Sequence, residues 1–429
     1  MLCLAGGFIG CKGERPARPN LVLITVDRLA ADRLHCFGGE SDAGGSICAL
    51  GRQGTLFAWA ATPGGGEASG AATVLTGLSE AVHGVKSDGQ SFLANTHPTI
   101  AEDLSEAGYV TAAFVASPRV NHSRRLDQGF DIYDDRLASP NRSARSEGDR
   151  KGGLEDEDKI KDNAGSIDFS SQVNAWIDSA PSPWFVWLHA DREAGLVELD
   201  RLLSRLSQTF DGEDGGPGIL FLALRGEREF AEPGMPTTTG ADRTIGWRTH
   251  RVPMIWRPPT KNGSSSIPIP VSRRLATLMD IVPTLRAAAQ LPAPDDSRPH
   301  TGGRDLGGNE SPQPVDSTNL ERFLLLEAAE HGGDVGLASQ QHLYVRNASP
   351  LDGTGRPVET SSLNSVAARF ATLPDYDPLP NSARLEPGPW RKDVLAAESP
   401  VPRLEFHLAR QLVTRREPGQ NEPNRRDPQ

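Results

Sequence analysis

Three apolar runs in this chain each end on a side chain that could do chemistry. NLVLITV stops at Asp27, PWFVWL at His189 and GILFLAL at Arg225. A carboxylate at the carboxyl end of a buried strand sits where open α/β sheets place their ligands; capping a turn is the bland alternative for Asp27. His189 follows an aromatic strand and reads by default as a hydrogen-bonded structural histidine, with a proton-transfer role as the alternative. Glu67 lies between a Gly-rich loop and a helical run. It reads first as a solvated residue ahead of a helix N-terminus, where a carboxylate is favourable, and second as the partner of an arginine. Thr62, Ser69 and Thr73 add hydroxyls nearby, but no evident base or metal would activate them. His83, before Gly84, reads as packing. The EAAEH run ending at His331 reads as a solvated helix end.

The elements that must position these groups follow from the hydrophobic pattern. Leu21 to Val26 is apolar at five of six positions and β-branched at three, as expected of a strand buried on both faces. Ser46 to Gly54 predicts a short helix, and a second helix should start near Ser69. TIAEDLSEAGYVTAAFV reads as helix, Gly turn and strand, because Ile100, Leu104 and Ala107 recur at helical spacing. A helix around Val173 to Ile177, strand PWFVWLHA, helix Leu196 to Leu206, strand Gly218 to Leu224 and the buried strand RVPMIWRPP continue the pattern. VSRRLATLMDIVPTLRAAAQLP reads as a helix, a Pro break and a second helix. Strand candidates at Phe323 to Leu326 and Leu343 to Val345 follow. Strands alternating with helices predict a mostly parallel sheet.

With 429 residues the chain has room for one large α/β domain and a smaller appendage. Gly (44) and Pro (34) are abundant enough to require many turns and long connections, against helical bundles or repeats. The net charge of −11 argues against a nucleic-acid groove. The four cysteines, Cys3, Cys11, Cys36 and Cys48, are too few and too irregularly spaced for a disulfide framework or a zinc site. MLCLAGGFIGCKG is similar to the end of a bacterial lipoprotein signal with Cys11 as the lipidated residue; an ordinary buried N-terminal segment is the alternative. No later stretch approaches the length of a transmembrane helix.

PNLVLITVDRLAADRLHCFGG resembles the N-terminal signature of the sulfatases, a branch of the alkaline-phosphatase superfamily. Five further blocks match in order: LTGL with HGV (Leu75 to Val85), GYVTAAFVASPRV with LDQGFDIYDD (Gly108 to Asp135), PWFVWLH (Pro183 to His189), RVPMIWRPP (Arg251 to Pro259) and DIVPTLRAAAQLP (Asp280 to Pro292). The likeness runs from Pro19 to Pro294, with weaker echoes to Asn347. It implies an α/β, alkaline-phosphatase-like fold: a large mostly parallel β-sheet flanked by helices, with a smaller C-terminal α+β subdomain. The expected layout is a signal and tether at 1–18, a core domain at 19–300 with a polar insertion at 138–169, the subdomain at 320–414 and a frayed tail at 415–429.

The resemblance also implies a divalent cation, a nucleophile read as C/S-x-P-x-R and converted to formylglycine, and cationic or imidazole groups around the sulfate. The cation would lower the nucleophile's pKa and neutralise the transferring group. Counting back from Leu75 places Glu67 in the nucleophile slot, and Ala71 in the slot of the supporting arginine. A carboxylate cannot become a formylglycine, so none is expected. Asp27 matches a metal ligand, whereas the later Asp-His pair falls on Leu224 and Arg225. Arg28 stands where many relatives have a second Asp, and a hard cation wants several oxygens. Arg225 or Arg28 could pair with Asp27 instead. The substrate histidine falls on Ala194.

The leading expectation is therefore a sulfatase-like pseudoenzyme without a cofactor. It would be exported as a periplasmic or outer-membrane lipoprotein and held to the membrane only by its lipid anchor. It would bind a sulfated or phosphorylated ligand, or an envelope protein, without turnover. Two alternatives stand beside it: an active sulfate or phosphate ester hydrolase with a rebuilt calcium or magnesium site, Glu67 beside Asp27, and a structural envelope protein.

Overall fold

The computed structural model describes residues 18–39, 44–64, 66–86, 90–136, 169–190, 195–210, 216–227, 247–259, 271–272, 274–294, 303–307 and four later strands at 324–327, 335–338, 342–346 and 368–372. Cys11, Ala194, His331, the segment 138–168 and the tail from 415 lie outside the described residues.

Among the described residues, ten strands precede residue 300: β1 (Leu21–Arg28), β2 (Thr55–Phe57), β3 (Ala60–Ala61), β4 (Val110–Val115), β5 (Ile132–Asp134), β6 (Trp184–Ala190), β7 (Gly218–Arg225), β8 (Met254–Arg257), β9 (Val271–Ser272) and β10 (Ala276–Thr277). The helices are α1 (Gly45–Gln53), α2 (Glu67–Thr76), α3 (Glu80–His83), α4 (Ile100–Glu106), α5 (Phe169–Ser179), α6 (Gly195–Phe210), α7 (Trp247–His250) and α8 (Ile281–Ala288). None of the described helices is long and apolar enough to cross a membrane.

Eight strands form one sheet in the order β5-β4-β6-β1-β7-β8-β2-β9. It is parallel from β5 to β7, and β8 runs antiparallel to both of its neighbours. β1 lies at the centre, with Leu21–Val26 aligned to Phe185–Ala190 on one side and to Gly218–Ala223 on the other. Leu21, Val22, Leu23 and Ile24 are fully buried, as are Phe185, Val186, Trp187, Leu188, Ile219, Leu220, Phe221 and Leu222. Each such aliphatic or aromatic side chain contributes about 1.5–3 kcal/mol of burial free energy. That reservoir does not depend on the strand ends, so the frame stands whatever those ends carry. A separate antiparallel sheet joins β11 (Leu324–Glu327), β12 (Val335–Ala338), β13 (His342–Arg346) and β14 (Ala368–Thr372).

Local signals explain where the helices begin. Thr99 and Glu102 form a reciprocal capping box on α4, with Glu102 N donating to Thr99 Oγ1 at 3.1 Å and Thr99 N donating to Glu102 Oε2 at 2.7 Å. α2 lacks a side-chain cap but ends on Gly77 at φ 71°, the left-handed position that favours glycine.

The structure corrects two expectations. Val271–Thr277 is not a helix; it supplies the two-residue strands β9 and β10, which pair parallel with β2 and β3. A single helix follows, and Pro283 lies in its first turn, where its missing N–H costs nothing. The cysteines also pair in part. Cys36, after β1, and Cys48, on α1, form a disulfide across a sequence separation of 12. Their spacing carries no framework signature, because the chain turns back between them only through tertiary packing.

Candidate functional site

The carboxyl ends of β4, β6, β1 and β7, neighbours in the sheet, meet the first turn of α2. α2 is built of EASGAATVLT, and every one of its residues is buried. Its small side chains allow a close approach to β7. A Cβ added at Gly70 would lie 3.0 Å from Leu224 Cβ. Leu224 is 1% exposed and packs on the helix.

Asp27 ends the buried part of β1 and is itself buried. Arg225, at the end of β7, grips it through two bonds: Nε donates to Oδ1 at 2.7 Å and Nη2 to Oδ2 at 3.0 Å. This planar fork matches the carboxylate edge and is the strongest form of ion pair. Arg28 lies beside it, in register with Arg225.

Glu67 is not a solvated residue ahead of the helix. It is the first residue of α2, and its side chain is fully buried. His189 Nε2 donates to Glu67 Oε1 at 3.0 Å. On the far side of the ring, Nδ1 lies 2.8 Å from Thr25 Oγ1, and Trp187 Nε1 donates to the same hydroxyl at 2.9 Å. A hydroxyl can give a proton to a neutral imidazole or accept one from a charged imidazole, so this chain is satisfied in either state. Glu67 Oε2 makes no hydrogen bond of normal geometry. It faces the Arg119 guanidinium at 3.6 Å, and the Ser117 hydroxyl lies beside the Glu67 carboxyl group. Burial alone would push the Glu67 carboxyl up; the hydrogen bond and charge of His189, then Ser117 and Arg225, outweigh it and hold the group below its ordinary value. Arg119 itself is 65% exposed and sits at the rim.

The remaining polar residues near the slot serve packing contacts. Ser69 Oγ donates to Glu80 Oε2 at 2.5 Å, and the buried His83 bonds Thr73 Oγ1 through Nε2 at 3.1 Å. Val85 N donates to His83 Nδ1 at 3.0 Å, and burial lowers this imidazole to about 3. Thr62 Oγ1 accepts from Gly64 N at 3.4 Å. Ala71, in the supporting-arginine slot, is fully buried.

Thr25, Trp187, Ser117 and Arg119 were not singled out from the sequence. Thr25 and Trp187 precede Asp27 and His189 by two residues, and two-residue alternation along a strand places such pairs on one face. That periodicity could have found them. Arg119 is 52 positions from Glu67 and meets it only through the strand order.

A divalent cation does not fit this donor set. Both Asp27 oxygens accept from Arg225, the adjacent slot is the apolar Leu224, and Glu67 is engaged by His189. Hard cations take several free oxygen ligands. Among the described residues, no three His, Cys, Asp or Glu side chains stand together as a metal site.

A mostly parallel sheet with polar groups gathered at its central strand ends defines an open α/β fold. Residues 19–214, a little under half of the chain, match the Sulfatase family model. No curated protein matches it in sequence. Among solved structures, it is similar to a phosphonate monoester hydrolase of Agrobacterium radiobacter, with 14% identity over 93% of this chain and 95% of that one and a TM-score of 0.60. A second, from Silicibacter pomeroyi and also a phosphonate monoester hydrolase, shares 15% identity over 93% and 95% at a TM-score of 0.59. A third, solved in complex with its substrate D-glucosamine-2-N,6-O-disulfate, shares 13% identity over 94% and 100% at a TM-score of 0.61. These likenesses establish the fold.

Proposed function

We propose that this chain is a non-hydrolytic sulfatase-fold protein of the bacterial envelope, which engages a ligand or partner at the rim of its old site. The observation that carries this reading is Glu67. It occupies the nucleophile slot as a buried carboxylate with one oxygen bound to His189, the other facing Arg119, and Ser117 beside the group. A carboxylate so buried, with an imidazole on one oxygen and a guanidinium opposite the other, is closed in by protein groups, and the slot lacks the residue that becomes a formylglycine. The packing of Leu224 against α2 fills the centre, which favours surface binding over a ligand held where esters are cleaved. A sulfated or phosphorylated group would find Arg119 at that rim; an envelope protein is the other partner class. The Cys36–Cys48 disulfide supports export to an oxidising compartment, and Cys11 would carry the lipid anchor.

The test is turnover by the purified full chain of aryl sulfate, aryl phosphate and aryl phosphonate esters. No turnover above that of a heat-inactivated sample is expected. Hydrolysis by the wild type that disappears in Glu67→Gln or His189→Gln would overturn the proposal and restore the rebuilt hydrolase.

A further inference from the structure

We infer that Arg225 is a built-in counter-ion that stands in for a divalent cation at Asp27, so the folded protein neither needs nor takes up calcium or magnesium at this end of the sheet. The inference rests on the reading of the site given above and names its internal replacement for the metal. Three observations support it. The guanidinium meets both oxygens of Asp27, at 2.7 and 3.0 Å, and the carboxylate is buried on its protein side. A cation would have to displace this fork and then sit beside the positive charge it displaced. Leu224, the neighbouring residue on β7, is sealed against Gly70 of α2, where an added Cβ would already crowd it. This position offers a cation an apolar side chain and no oxygen ligand. Finally, the second carboxylate of the site, Glu67, also faces protein donors: His189 Nε2 on Oε1 and, from the rim, the Arg119 guanidinium at 3.6 Å from Oε2. Both acids at these strand ends therefore face protein-borne N–H donors, and positive charge is supplied by side chains that cannot dissociate.

Two measurements on the full chain test this. Calcium and magnesium titrations of the wild type, by calorimetry and by metal analysis after dialysis, should show no stoichiometric uptake. Its unfolding temperature should be the same in EDTA as in millimolar calcium. One equivalent of tightly bound metal, or a calcium-dependent rise in that temperature, would overturn the inference. The second measurement is charge compensation. Arg225→Met should lower the unfolding temperature by leaving Asp27 buried and unpaired, and adding Asp27→Asn should recover most of that loss. A double variant no more stable than Arg225→Met would show that Arg225 does not act as the counter-ion. Metal uptake without turnover would sink this inference and spare the functional reading, whereas metal-free turnover would do the reverse.

Discussion

Replacing Glu67 tests whether the relay through His189 is an integral part of the fold. Glu67→Ala removes the acceptor for a fully buried imidazole N–H and leaves a hole beside the first turn of α2. An orphaned buried donor costs about 1–3 kcal/mol, and the lost charge-assisted bond falls in the same range. With the cavity added, a loss of about 3 kcal/mol is expected. Glu67→Gln keeps a carbonyl for His189, and its amide can donate to Ser117 while the exposed Arg119 swings into solvent; its cost should be about 1 kcal/mol. The Gln variant should also lose a pH dependence. The Glu67 carboxyl is held below its ordinary value in the folded state, so its stabilising contribution is complete above the unfolded carboxyl's pKa. It fades as pH falls through the lowered folded value. Thermal unfolding of the three proteins across the acid range, with near-ultraviolet circular dichroism reporting on Trp187, measures both effects. Equal losses in the Ala and Gln variants, or a wild-type acid profile unchanged by Gln, would refute the relay.

The buried His83 predicts a second acid effect. Its folded value is about 3, so between pH 6.5 and 3 the unfolded chain takes up a proton that the folded chain refuses, and stability falls as pH falls. The full window is worth about 4–5 kcal/mol, from about 1.4 kcal/mol per pH unit; His83→Gln should flatten that slope in urea titrations at successive pH values. The contact of α2 with β7 supplies a third prediction. Gly70→Ala should cost about 1–3 kcal/mol by overpacking against Leu224, and adding Leu224→Ala should relieve part of the clash, so the double variant should be less impaired than the sum of the single changes in thermal unfolding.

The central frame was legible because its signal is dense. Leu21–Val26, Trp184–Ala190 and Gly218–Leu224 are continuous apolar runs, and parallel strands buried on both faces are written that way. Short pairings are not. Val271–Ser272 and Ala276–Thr277 hold two residues each, too few to show a period, and they exist because β2 and β3 offer free backbone. The burial of Glu67 is not visible in the sequence for a related reason. A carboxylate before a helical run is usually solvated, and only the fold brings His189 to it from 122 positions away. That Arg225 or Arg28 could reach Asp27 was readable from the motif slots; which of the two does so depends on the geometry of β7 beside β1.

If the chain is non-hydrolytic as proposed, the arrangement of its strand ends constrains any route to hydrolysis. Changing Arg225 to the histidine expected of an active relative would strip Asp27 of its counter-ion while Leu224 still denied the cation a second carboxylate. Changing Leu224 to aspartate alone would bury a third acid among donors already committed to two. Replacing Glu67 by a nucleophile precursor would leave His189 Nε2 without its acceptor. Each single reversal breaks a satisfied contact before its counterpart exists, and breaking a buried ion pair costs about 3–5 kcal/mol. Because both acids face protein donors, Asp27 and Arg225, and likewise Glu67 and His189, depend on one another. The site is therefore held in its present form by stability.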